Sequence, residues 1–77
     1  MKTKRRKDID RAIALLEAAK SVIETTGKEE RGYFDAMPEG LQVGEKGNAA
    51  DEAATALEEA ADAIDEIIGN LETAKGD

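Results

Sequence analysis

The chain has 77 residues, a formal net charge of −7, no cysteine and no histidine. That leaves room for one domain and excludes disulfides, thiolate zinc sites and imidazole metal ligands. A core of this size supplies only about 3–5 kcal/mol, so a chain without staples is expected to complete itself with another copy.

The first element is a basic arm, residues 1–7, with Lys2, Lys4, Arg5, Arg6 and Lys7 and no acid. It resembles the start of a secretion signal, but Asp8, Asp10, Arg11 and Glu17 interrupt any apolar region after it. No apolar run approaches the ~20 residues of a membrane span. The expectation is a soluble, unprocessed cytoplasmic protein whose arm is solvated and partly frayed. The remainder of the chain is strongly acidic, which argues against direct duplex DNA binding.

Residues 8–37 are predicted as the first helix. Ile9, Ala12, Ile13, Leu16, Ala19, Ile23 and Thr26 recur in steps of three and four and define one face. Leu15 and Val22 widen that face on one flank. The phase resumes beyond Gly27 at Tyr33, Phe34 and Met37, although Gly27 and Gly32 each cost about 1 kcal/mol relative to alanine. Pro38 stops the helix by pushing the preceding residue out of helical geometry.

Residues 38–47, with Pro38, Gly40, Gly44 and Gly47, are predicted as a loop. Asn48 then offers an N-cap for a second helix over 48–75. Its main seam is Ala50, Leu57, Ile64 and Leu71, with Ala53, Ala60, Ile67 and Ala74 as companions and Ala54, Ala61 and Ile68 on the flank. Its acids, among them Asp51, Glu52, Glu58, Glu59 and Asp65, fall on the opposite, solvated face. Gly69 points outward, and Gly76 serves as the C-terminal cap. Two helices of similar length define an all-α, antiparallel two-helix hairpin. Its apolar arc exceeds one seam, so dimerisation into a four-helix bundle is expected.

The chemistry of a site is sparse. Without cysteine or histidine, and with Ser21 alone inside a helix, no nucleophile–base pair stands out; the expectation is no enzyme, no cofactor and no metal. Both aromatics lie near the hairpin tip. Arg31, Tyr33, Phe34 and Lys46 are the candidate ligand- or partner-binding residues, because an aromatic platform beside cations can stack a base and hold a phosphate. The alternative is that Tyr33, Phe34, Met37 and Leu41 only plug the tip. Arg31 falls on the outer arc, where packing does not require an arginine.

Leu15-Leu16-Glu17-Ala18-Ala19-Lys20-Ser21, and the turn Phe34-Asp35-Ala36-Met37-Pro38-Glu39-Gly40-Leu41-Gln42, carry a resemblance. With the Ala/Glu-rich second helix, the chain resembles small uncharacterised helical proteins of bacteriophages and mobile elements of Gram-positive bacteria. Gly27 and Gly32 depart from that pattern, which has helix formers there. The resemblance implies a phage setting in the host cytoplasm and carries over no activity or binding residues. Three functions follow as expectations. The first is a non-catalytic self-associating binding protein that interferes with a host defence or regulatory protein. The second is an oligomeric sponge for a nucleotide signal, and the third an acidic mimic of nucleic acid.

Overall fold

A computed structural model describes residues 2–76 as three helices: α1 (Thr3–Asp35), α2 (Glu39–Gln42) and α3 (Glu45–Lys75). The two long helices pack side by side into a rod 58 × 15 × 15 Å. Asp10 of α1 binds Lys75 of α3, Lys20 binds Asp65, and Arg31 binds Asp51 and Glu58. The pairing descends one helix as it climbs the other, so the all-α antiparallel hairpin is present.

The helix boundaries differ from expectation at three places. The described part of the basic arm is helical from Thr3, not frayed, while Met1 lies outside the described residues. Cations at a helix N-terminus oppose its dipole. Here Lys4 pairs with Asp8 at 2.8 Å, and Arg6 donates to the carbonyl of Lys75 at 3.0 Å, at the negative end of α3. The tertiary contact offsets the local penalty. At the other end α1 stops at Asp35, two residues before the expected limit. The Ala36 and Met37 N–H groups turn back to the carbonyls of Gly32 and Phe34.

The 38–47 segment is not a plain loop. Pro38 caps the short α2, and extended Gly44 caps α3. Helix α3 therefore starts at Glu45, three residues ahead of the predicted Asn48, and Glu45 supplies the acid favoured in a first turn. Gly47 is thereby placed inside the helix and is buried, because α2 lies directly over it. Helix α1 runs unbroken through Gly27 and Gly32. At the far end Gly76 adopts φ 80°, the left-handed cap the sequence predicts.

The seams are also rephased. On α1 the inward line passes through Ile9, Ile13, Leu16, Lys20, Ile23, Gly27 and Phe34, with Met37 just beyond its end, all buried or half-buried, while Ala19 and Thr26 are exposed. On α3 the companions of Ala50, Leu57, Ile64 and Leu71 are Ala54, Ala61 and Ile68. The predicted companions Ala53, Ile67 and Ala74 face solvent instead. An alanine-rich helix has an apolar arc too wide to set its own phase, so the contacts with α1 decide it. One such contact is at Gly27, where a Cβ would stand only 3.3 Å from that of Leu57.

Candidate functional site

Arg31 lies at the edge of the seam on α1 and leans across it towards α3. Its Nη1 donates to Asp51 Oδ1 at 2.8 Å, Nη2 to Glu58 Oε1 at 3.1 Å and Nε to Glu58 Oε2 at 3.3 Å. A further bond from Nη2 reaches Thr55 Oγ1 at 3.3 Å. The guanidinium thus forks onto Glu58 with two donors, the geometry in which arginine holds a carboxylate best. Its Cζ also lies 5.7 Å from the centre of the Phe34 ring, within cation–π range. The hydrogen bonds it donates to Glu58 and then to Asp51 raise the Arg31 pKa above its already high ordinary value. Arg31 is therefore a fixed cation.

This corrects the placement of Arg31 on an arc without packing duties, and of Asp51 and Glu58 on a purely solvated face. The helical wheel of a single helix cannot show the pairing. The signal lies between the helices: Asp10 and Arg31 on α1, and Asp51, Glu58 and Asp65 on α3, flank the inner seam on the same side. Lys20 completes that edge, bonded to Asp65 at 2.7 Å and close to Glu24 at 3.8 Å. The Asp65 bond outweighs partial burial and raises the Lys20 pKa. Its contribution is full below the ordinary lysine value and fades only as pH climbs through the raised one.

Beside Arg31, between α1 and α3, lies a groove of about 400 Å³. Its floor is Ile23, Gly27, Leu57 and Ala61; Lys28 and Arg31 share its rim with Glu24, Asp35, Glu58 and Asp62. Carboxylates outnumber cations there, and the nearer cation is already bonded. Such a rim repels a phosphate.

Of the four predicted binding residues, only Arg31 and Phe34 come together. Tyr33 is exposed, on a different face of α1, and Lys46 lines a separate shallow groove with Glu45, Asn48, Ala49 and Glu52. Phe34 and Met37 are half-buried under the tip, where Gln42 Nε2 donates to the Phe34 carbonyl at 3.1 Å. Among the described residues no group of acidic side chains is arranged to hold a metal, and no helix is long and apolar enough to cross a membrane. No family model, curated protein or solved structure matches the chain.

Arg31→Met is expected to lower the melting temperature, since it leaves Asp51 and Glu58 facing each other unpaired. The loss should shrink when salt is raised to about 1 M, where the screening length contracts to roughly 3 Å. Thermal melts at low and high salt check this, and an unchanged melting temperature at low salt would remove the clamp's structural role.

Proposed function

We propose that the protein is a non-catalytic helical binding protein that works as a dimer, two hairpins forming a four-helix bundle. The observation that carries this reading is that no side chain larger than alanine is buried among the described residues. Leu15 and Val22 are 62% and 66% exposed. A lone hairpin keeps its large apolar side chains half wet, and a second hairpin is the simplest cover. The partner is a protein: Leu41 and Val43 at the tip are exposed apolar side chains. The resemblance to phage and mobile-element proteins supports a host defence or regulatory protein as that partner. The nucleotide sponge has less support, because its arginine is already bonded within the hairpin and the adjoining groove is acidic.

Sedimentation of the purified chain at micromolar concentration should give about twice the 8.2 kDa chain mass. Nucleotides and dinucleotides should leave the melting temperature unchanged. A stable monomer overturns the assembly, and a nucleotide-induced stabilisation restores the sponge in place of the protein-binding reading.

A further inference from the structure

Each long helix carries a second heptad stripe, distinct from the one that joins the hairpin. On α1 it is Ala12, Leu15, Ala19, Val22 and Thr26, in alternating steps of three and four, and Tyr33 extends it one turn beyond Glu29. On α3 it is Ala53, Ala56, Ala60, Ala63, Ile67 and Ala74, with Asn70 the one polar interruption. Each stripe sits one residue before the inner seam, about 100° round its helix. Among the described residues, the cross-helix pairs of Asp10, Lys20 and Arg31 run along one edge of the hairpin. Both stripes flank the inner seam on the other side, so they share the opposite, open face. All of this face is exposed except half-buried Ala12 and Ala60, and from residue 12 to 26 and from 53 to 74 its stripes contain no charged side chain. Thr26 spends its hydroxyl on the Val22 carbonyl at 2.9 Å and can turn its methyl outward.

We propose that this open face is the dimer interface, and that a twofold axis parallel to the helices lays α1 of each copy over α3 of the other. The inference rests on the self-association reading and specifies it. Two seams at roughly a right angle are what a helix needs when it touches two neighbours in a four-helix bundle. The face is about 15 Å wide and roughly 32 Å long over the stripes, on the order of 500 Å² per copy and about 1,000 Å² per pair, close to the lower limit for a specific interface. With a net charge of −7 on each copy, this is the face on which two copies meet without bringing acids together.

The direction of the axis follows from side-chain size. The register set by Asp10–Lys75 and Lys20–Asp65 puts Ala19 near the level of Ile67, Val22 near Ala63 and Tyr33 near Ala53. An axis parallel to the helices preserves those levels. Val22, Tyr33 and Ile67 then each meet an alanine of the other copy, as interdigitating cores require, while Leu15 falls opposite Asn70. An axis across the helices instead stacks α3 on α3, alanine on alanine, and leaves the α1 pair propped apart by Leu15 and Val22.

The test uses the full-length chain. Val22→Cys and Ala63→Cys chains, mixed and then oxidised, should form a disulfide-linked heterodimer in high yield, whereas neither should do so alone. Val22→Asp should weaken dimerisation at least about a hundredfold, because it buries an unpaired charge, while circular dichroism still reports a helical chain. A wild-type chain that sediments as a monomer overturns self-association itself. A wild-type dimer that survives Val22→Asp, or in which Val22→Cys links to itself and not to Ala63→Cys, overturns this interface and leaves the dimer standing.

Discussion

Ala54→Asp is expected to unfold the hairpin. Ala54 is completely enclosed, at 0% exposure, in the seam between α1 and α3. Asp51 and Glu58 lie three residues before it and four after it on the same helix, both already sharing Arg31. A new carboxylate there has no cation left to pair with and is too short to reach water. An uncompensated buried charge costs about 3–5 kcal/mol, comparable to the whole stability expected of so small a core. The helical circular dichroism signal should be lost at temperatures where the wild type is folded. Ala53→Asp, one residue earlier, puts the same charge on the open face and should keep the helical signal while lowering the sedimenting mass. If both variants fold equally well, the inner seam has been assigned to the wrong alanines.

Gly47→Ala should also destabilise strongly, although it adds one methyl group to a helix. Gly47 has no left-handed φ, so glycine is required there for space. A Cβ would collide with the backbone of Gln42, where α2 crosses the first turn of α3. Backbone cannot swing aside as a side-chain tip can, so α2 must lift. Lifting it also breaks the Gln42 bond that caps the Phe34 carbonyl. Overpacking of this kind costs about 1–3 kcal/mol, against a gain of about 1 kcal/mol from helix propensity. Gly32→Ala supplies the contrast, since a Cβ at Gly32 meets nothing within 4 Å. It should raise the melting temperature, and parallel thermal melts of the two variants check both signs.

Much of the architecture is written locally. The three-and-four spacing of Ile9, Ile13, Leu16 and Ile23, and of Leu57, Ile64 and Leu71, determines two long helices, because large side chains at that spacing can be covered together only on one face. Pro38 determines where the first helix must end, and Gly76 where the last one does. The excess of apolar surface on Leu15 and Val22 is equally visible in one dimension. What the sequence alone could not decide is every choice between equivalent small residues. Ala53 and Ala54 are identical side chains, and only the approach of α1 makes one core and the other surface. The same approach turns Gly27 and Gly47 from helix breakers into contact points, because a missing side chain has no value until another element fills its space. Arg31 is the clearest case. Its own helix places it on an outer arc, and its clamp on Asp51, Thr55 and Glu58 exists only once a helix twenty residues away has folded back beside it.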